Sequence, residues 1–186
     1  MADECVGRSA LLVERFGWTL RLRLDRWWDE RPRALICMAN PSLANGVRDD
    51  PTTLRLIALV RALSRYGGLT IVNEEPYRAA RPVALRDWRK RIASARPRAY
   101  RMIREENLTV IRTVSPQAAI RIVAWGNLVQ TGQPAEQTLE ALSLGGAHDL
   151  FAFALTRGGN PAHPLARAAN HITVGREPLV WKPSWR

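Results

Sequence analysis

The chain has 186 residues, of which 46% are hydrophobic and 24% are charged. This length suits one compact domain. The hydrophobic residues are numerous enough to form a buried core, which excludes an intrinsically disordered chain. No apolar run approaches the roughly 18 to 20 residues of a membrane span, and residues 1–5 do not resemble a secretory signal. We therefore expect one cytoplasmic domain over 1–186, with a core of about 19–165, a C-terminal tail over 166–186 and no membrane partner.

The composition is strongly basic, with a formal net charge of +11. Only Lys90 and Lys182 are lysines, so 28 basic residues minus two leaves 26 arginines. Such charge favours a polyanionic partner, because cations that neutralise phosphates release counterions. An arginine- and alanine-rich composition is also typical of a GC-rich genome, so charge alone leaves the partner open.

Potential metal ligands are scarce, because the chain has two cysteines and three histidines and lacks a Cys-x-x-Cys pair. Cys37 lies in an apolar run, which is typical of a buried free thiol. We expect neither a metal site nor a cofactor.

Hydrophobic periodicity predicts strands that alternate with helices. Residues 19–24 alternate apolar and arginine side chains, which predicts a half-buried strand with Arg21 and Arg23 facing outward. Asp50 and Pro51 are typical of a helix N-cap and first helical position. In chain order, the predicted elements are a strand over 19–24, a strand over 33–38, a helix from 51 that ends at Gly67-Gly68, a strand over 69–72, a short helix around 85–93 in an otherwise irregular basic segment, a helix over 99–114, a strand over 120–124, a helix over 134–142 and a strand over 150–155.

This order predicts an α/β fold with three layers, α/β/α, around a central, mostly parallel four-stranded sheet, plus an N-terminal edge strand. Ligands of such sheets bind beyond the carboxyl ends of the strands. In the tail, we expect Trp181 and Trp185 to anchor the terminus onto the core rather than to stack on nucleic-acid bases.

Polar residues follow each of the four predicted core strands. The segments are Asn40-Pro41-Ser42, Asn73, Trp125-Gly126-Asn127 and, after the last strand, residues 158–165. Because the carboxyl ends of parallel strands meet at one edge of a sheet, these segments are expected to surround one pocket.

Five motifs give the chain a resemblance to an uncharacterised domain family of bacteria and phages. They are Asn40-Pro41-Ser42, Asp49-Asp50-Pro51-Thr52, Val72-Asn73, Trp125-Gly126 and His163-Pro164-Leu165. The same order of motifs is similar to the wider uracil-DNA glycosylase superfamily. Met38 and Leu165 depart from the Gly and Ser that are usual there, which leaves the identity of the base open.

The superfamily resemblance implies a uracil-DNA glycosylase-like fold and a role for several residues. Asn40 would hold the hydrolytic water, Asn73 would hydrogen-bond the extruded base, and His163 would stabilise the departing base. The expected base-binding residues are Asn73, Pro41, Ser42, Trp125 and Tyr77. Ser42 is small where uracil-restricted members carry a tyrosine that blocks the pyrimidine 5-position, which implies a base with a bulky 5-substituent.

Two neighbouring carboxylates, Asp49 and Asp50, are candidates for the general base. Asp50 is better explained as a helix cap. Asp49 has no such structural role in the sequence, so Asp49 is the candidate catalytic base beside Asn40 and His163, and a water held by Asn40 alone is the alternative.

The segment from Arg78 to Arg104 holds ten Arg or Lys residues and one acid, Asp87. Such a segment favours contact with a DNA backbone, although a solvated helix surface has the same composition. The candidate DNA-binding residues are Arg78, Arg81, Arg86, Arg89, Lys90 and Arg91.

Together these features predict a monofunctional DNA glycosylase that flips a modified, 5-substituted pyrimidine out of DNA and leaves an abasic site. Anti-phage defence or base-excision repair is the expected role, with DNA containing a modified base as partner and no obligate protein partner. The alternatives are a non-catalytic DNA- or nucleotide-binding module and a hydrolase of free modified nucleosides or nucleotides.

Overall fold

The structure, a computed structural model, describes residues 7–129 and 132–184. The strands are β1 (Gly7–Arg15), β2 (Trp18–Trp27), β3 (Arg33–Met38), β4 (Gly68–Asn73), β5 (Ile120–Val123), β6 (Leu150–Ala152) and β7 (Leu179–Lys182). The helices are α1 (Pro51–Ala62), α2 (Pro82–Ala95), α3 (Pro97–Val114) and α4 (Gln133–Leu142), with single-turn 3-10 helices at Ser115–Gln117 and Ala168–Asn170. No helix of the described ranges is long and apolar enough to cross a membrane.

The α/β class is confirmed, but the strands form one mixed sheet of seven, in the order β1-β2-β4-β3-β5-β6-β7. β3 is parallel to its neighbours β4 and β5, and β5 is parallel to β6. The pairs β1–β2, β2–β4 and β6–β7 are antiparallel. The predicted sheet of four mostly parallel strands with one edge strand is therefore wrong, because β1 and β7 extend it and half of the neighbouring pairs are antiparallel.

β1 and β2 form a hairpin that places β1, not the predicted strand over 19–24, at the edge of the sheet. Its two-residue turn, Phe16-Gly17, has φ of 53° and 83°. Positive φ at both central positions is typical of a type I′ turn, whose twist matches the strands. The pairing register shifts between Leu11 and Leu12, and this break in alternation hides β1 in the sequence.

The outward orientation predicted for the β2 arginines is wrong for Arg21, which is 3% exposed. A loop rather than solvent covers this part of β2. Arg21 Nη1 donates to Ala44 O at 2.9 Å, and the fully buried Arg26 donates from Nη2 to Asn45 O at 2.7 Å. Both guanidinium groups therefore hold the loop that follows Ser42.

Helices cover both faces of the sheet, because successive residues of β3 point in opposite directions. Ile36 shares a buried cluster with Val60 of α1, whereas Cys37 shares one with Ile111 of α3 and Leu139 of α4. The Cys37 thiol is fully buried, as predicted.

A third, aromatic cluster attaches α2. Trp88 is fully buried and stacks on Tyr77, with ring centroids 4.7 Å apart and planes within 2°. Trp18 and Tyr100 meet Trp88 edge-on at 6.2 and 6.1 Å. Stacked and edge-to-face pairs of this kind add to the apolar burial and fix the position of the basic helix.

The tail returns to the sheet as β7, antiparallel to β6. Trp181 meets Trp125 edge-on at 5.8 Å and donates from Nε1 to Gly159 O at 3.0 Å. The predicted anchoring role is confirmed for Trp181, while Trp185 lies outside the described residues.

Candidate functional site

A cavity of about 490 Å³ lies at the carboxyl ends of the central parallel strands. This volume falls within the range of about 300–1,000 Å³ that is typical of small-molecule sites. Its lining includes the polar and aromatic side chains of Arg21, Asn40, Ser42, Asp50, Trp125 and His163.

Backbone hydrogen bonds hold the segments that surround the cavity beyond the ends of their strands. Glu74 N donates to Met38 O and Ala124 N to Cys37 O, both at 2.8 Å. Gly126 N donates to Pro161 O at 2.8 Å, which joins the segment after β5 to the segment that carries His163. Backbone hydrogen bonds to the strand ends and to one another therefore fix the segments that line the cavity.

Asn40 is oriented by two backbone carbonyls. Its Nδ2 donates to Pro41 O at 2.9 Å and to Ala79 O at 2.8 Å. An amide nitrogen has two hydrogens, so both donors are used and Oδ1 is the atom that Asn40 offers to a ligand. Asn40 can therefore accept a hydrogen bond from a water or an N–H group in the cavity.

Asp50 caps α1, as predicted, and also lines the cavity. Its Oδ1 accepts from Thr53 N at 2.8 Å and its Oδ2 accepts from Ala44 N at 3.1 Å. Burial alone would raise the pKa of Asp50, but the hydrogen bonds from Thr53 and Ala44 outweigh it and hold that pKa below its ordinary value. Asp50 thus presents a fixed negative charge to the cavity at neutral pH.

His163 lines the same cavity in a defined tautomer. Its Nδ1 accepts from Leu165 N at 3.1 Å, so in the neutral ring Nε2 carries the proton. Burial lowers the pKa of His163, and the nearby charge of Asp50 offsets part of this effect. His163 is therefore a neutral Nε2–H donor at neutral pH.

Gly126 is required where the Trp-Gly motif passes His163. Its φ is +66°, and a Cβ added there would lie 3.3 Å from the Cβ of His163. A side chain at position 126 would be strained and would press on the histidine.

Asn73 does not line the cavity, although it shares a sheet face with Ile71, which does. It is completely buried, and within the described structure neither Oδ1 nor Nδ2 has a hydrogen-bond partner. Its main-chain O accepts from Asn107 Nδ2 at 2.9 Å. The structure therefore brings Asn40 and His163 together in the cavity lining and leaves Asn73 out of it.

Among the remaining predicted base-binding residues, Ser42 and Trp125 line the cavity, whereas Pro41 and Tyr77 do not. Pro41 is buried and its carbonyl accepts from Asn40 and from Ala79 N. The Tyr77 ring is committed to the stack on Trp88.

Asp49, the predicted general base, does not line the cavity either. It accepts from Arg26 Nε at 2.6 Å and lies 3.4 Å from Arg8 Nη1. Arg26 is fully buried, so Asp49 compensates a charge that has no water around it. The carboxylate in the cavity is that of its neighbour, Asp50.

The candidate DNA-binding residues divide into two groups. Arg81, Arg86, Lys90 and Arg91 are exposed on or beside α2, and Arg78 donates from Nη2 to Leu43 O at 3.0 Å beside the cavity segment. Arg89 instead pairs with Glu74 at 2.6 Å and with Glu75 at 3.0 Å. Arg89 therefore holds two buried carboxylates while 31% of its side chain stays exposed, and its contact with DNA stays a prediction.

Glu74 and Glu75 form a buried charge network that the sequence analysis did not anticipate. Tyr100 Oη donates to Glu75 Oε1 at 2.6 Å, and Arg104 Nη1 donates to the carbonyl of Glu74. Burial and then the charge of Glu75 raise the pKa of Glu74 to about 7, against the opposing charge of Arg89. Adjacent glutamates at a strand end carry no sequence signal for such burial.

Arg21 is the other functional candidate that the sequence analysis missed, since its place in an alternating strand predicts exposure. Groups of three or more His, Cys, Asp or Glu residues that could hold a metal ion do not occur within residues 7–129 and 132–184.

The fold and the cavity define an α/β protein with a ligand-sized site at the carboxyl ends of parallel strands. A family model matches residues 21–165, and the chain belongs to that family, which is described as Protein of unknown function (DUF1643). No curated protein and no solved structure matches the chain.

The first prediction concerns Asp49. We expect Asp49→Ala to lower the free energy of unfolding by about 3–5 kcal/mol, because it leaves the buried Arg26 without its counter-ion. Urea denaturation followed by circular dichroism measures the change. Asp87→Ala, which removes an exposed carboxylate on α2, should change it by less than about 0.5 kcal/mol. An Asp49→Ala protein as stable as Asp87→Ala would contradict a structural role.

The second prediction concerns Glu74. Between its ordinary pKa of 4.5 and about 7, the folded protein binds a proton at Glu74 that the unfolded chain does not. Rising pH therefore lowers the free energy of unfolding in this window. Glu74→Gln should remove this contribution. The free energy of unfolding of the variant minus that of the wild type should therefore be larger at pH 8 than at pH 5.

Urea denaturation at both pH values tests this difference, with the exposed Glu105→Gln as control. An equal difference between Glu74→Gln and wild type at pH 5 and pH 8 would show that Glu74 has the same pKa in both states.

Proposed function

We propose that this protein is a monofunctional DNA glycosylase that binds a flipped, modified pyrimidine in the cavity and hydrolyses its N-glycosidic bond. One observation carries the proposal: Asn40 and Asp50, from the two ends of the connection between β3 and α1, and His163, from the segment after β6, line a single cavity of about 490 Å³. Asn40 supplies an oxygen that accepts a hydrogen bond from water, Asp50 supplies a fixed negative charge, and His163 supplies a neutral N–H donor. The resemblance of their motifs to the uracil-DNA glycosylase superfamily, and helices on both sheet faces, support the same conclusion.

The chemistry assigns one task to each residue. As the bond between C1′ and the base nitrogen breaks, its electron pair stays on the base and C1′ becomes cationic. The Nε2–H of His163 donates to the developing anion on the base, and the Asp50 carboxylate stabilises the sugar cation. Asn40 Oδ1 accepts from the water whose oxygen bonds to C1′.

Asp50 also takes the proton that this water releases and passes it to solvent. Its depressed pKa makes it a weak base, but a water that is bonding to a cationic carbon is a strong acid, so a weak base suffices. Each of its oxygens accepts one backbone N–H, which leaves lone pairs for the water.

The basic surface beside the cavity supports DNA as the substrate. The exposed Arg81 directly precedes Pro82, which lines the cavity, and further along the same helix the exposed basic residues are Arg86, Lys90 and Arg91. Flipping a nucleotide costs a few kcal/mol, and phosphate contacts at the flanking positions offset this cost. Removal of modified bases from DNA is a reaction of repair or of defence against phages with modified genomes.

The third prediction is base release. Duplexes that carry uracil or different 5-substituted pyrimidines are incubated with the protein and then treated with alkali, which cleaves strands at abasic sites. We expect cleavage for at least one 5-substituted base. Asn40→Ala and His163→Ala should each lower the rate by about 100-fold or more, the scale of losing one group aimed at the transition state.

His148→Ala is the matched control, since His148 is an exposed histidine outside the cavity, and its rate should equal that of the wild type. Tight DNA binding without strand cleavage for every base would favour a binding module instead. Cleavage that persists in both cavity variants would also overturn the assignment.

The fourth prediction concerns the substituent. Ser42→Tyr should fill the cavity beside the pyrimidine 5-position and reduce release of a 5-substituted base by at least about tenfold, the scale of excluding a group from a shaped pocket. Ser42→Ala, which keeps the space, should retain the activity. If Ser42→Tyr releases the substituted base at the wild-type rate, the substituent does not lie against position 42.

A further inference from the structure

β1 is an open edge of the seven-stranded sheet. It is nine residues long and pairs with β2 on one side, and no described strand pairs with its other side. The register shift of the β1–β2 pair leaves the extra residue, Leu22, on β2, because the neighbours Leu11 and Leu12 pair with residues 23 and 21. The outer edge of β1 is therefore regular over its whole length. A long, regular and unpaired edge is a template for another strand.

The opposite edge of the sheet, β7, is protected against such pairing, and β1 is not. β7 is four residues long, ends in Lys182, and lies between Pro178 and Pro183 in the sequence. Short strands, prolines and lysines are the usual features that keep edge strands from pairing. β1 contains neither proline nor lysine, and at its centre Leu11 and Leu12 are 38% and 39% exposed. The exposed apolar centre of β1 therefore fits a partner strand.

The sequence of β1 is complementary to itself when two copies run antiparallel about Leu11. In this register Leu11 faces its own copy, and Ala10 faces Leu12. Towards the ends of the strand, Arg8 faces Glu14. Directly opposite apolar pairs and opposite charges both stabilise a sheet, and two-fold symmetry forms the Ala10–Leu12 and Arg8–Glu14 pairs twice. The pattern of β1 therefore selects a second copy of the same strand.

The charges of Arg8 and Glu14 are available for this pairing. Glu14 is exposed, and no described residue binds its carboxylate. Arg8 donates from Nη1 to Val47 O at 2.9 Å and lies 3.4 Å from Asp49, while its other nitrogens have no partner among the described residues. Asp49 also compensates the buried Arg26, so one carboxylate serves two arginines. A carboxylate from Glu14 of a second copy supplies the missing counter-ion.

We propose that β1 is the dimerisation surface of this protein and that its partner is β1 of a second copy, in the antiparallel register centred on Leu11. The two sheets then join edge to edge into one continuous sheet. Main-chain hydrogen bonds between the two strands supply affinity, and the facing side chains fix the register. This inference does not depend on the proposed function, because it uses neither the cavity nor the basic surface of α2.

Sedimentation velocity of the full chain at increasing protein concentration tests the proposal. The wild type should reach twice the 20.9 kDa of one chain. Leu11→Lys places two like charges opposite each other at the symmetry axis and should raise the dimer dissociation constant about tenfold or more. Glu14→Lys should have the same effect, because it replaces two attractive pairs by two repulsive ones. Val180→Lys adds the same charge to β7, where Val180 is 46% exposed, and should leave the dissociation constant unchanged.

A disulfide between two copies tests the register itself. Directly opposite Cα atoms of antiparallel strands lie about 4.5–5.5 Å apart, which a disulfide can span. In a chain whose Cys5 is replaced by serine, Leu11→Cys should therefore give a covalent dimer in the presence of oxidised glutathione. Val13→Cys, on the same face of β1, should not, because the two copies of residue 13 lie about 14 Å apart along the paired strands.

Thermal unfolding followed by circular dichroism shows that each variant is folded. Three results would each overturn the proposal. They are a wild type that stays monomeric at every concentration, a dimer that a folded Leu11→Lys or Glu14→Lys protein forms as tightly as the wild type, and equal cross-linking at positions 11 and 13.

Discussion

The arrangement depends on the carboxylate of Asp50, which joins three parts of the molecule. One oxygen accepts from Thr53 N and starts α1, and the other accepts from Ala44 N and closes the loop after Ser42. The same group lines the cavity, where its charge acts on His163. Because the hydrogen bonds that cap the helix also lower the pKa of this carboxyl, the fold itself keeps the site charged at neutral pH.

Around this carboxylate, the strand ends of the sheet fix the positions of the loops, and the loops carry the side chains that line the cavity. β3 and β5 end side by side, and hydrogen bonds that continue their ladder place Asn40 and Trp125 in the lining of one cavity. Asn40 is fixed through both hydrogens of its amide, and His163 through its Nδ1. Such pre-oriented groups need no rearrangement when charge develops on a substrate, which is the requirement for electrostatic catalysis.

The sequence predicts what depends on local pattern and misses what depends on distant partners. The Asp50 cap, the buried strand of Cys37 and the convergence of Asn40 with His163 follow from motifs and from the rule for parallel strands. The burial of Arg21 and Arg26 depends on a loop that folds over β2, and the burial of Glu74 and Glu75 depends on Arg89 and Arg104 from other elements. Asp49 and Asp50 are neighbours in sequence, but only their packing shows which carboxylate enters the cavity.

The most direct measurement is a crystal structure with a duplex that carries the 2′-fluoro analogue of a nucleotide whose base the protein releases. The fluorine destabilises the sugar cation and so preserves the N-glycosidic bond. Our account predicts an extruded base in the cavity, with Asn40 Oδ1 beside C1′ through a water and His163 Nε2 within hydrogen-bond distance of the base. A duplex bound on another surface, with the base stacked in the helix, would contradict it.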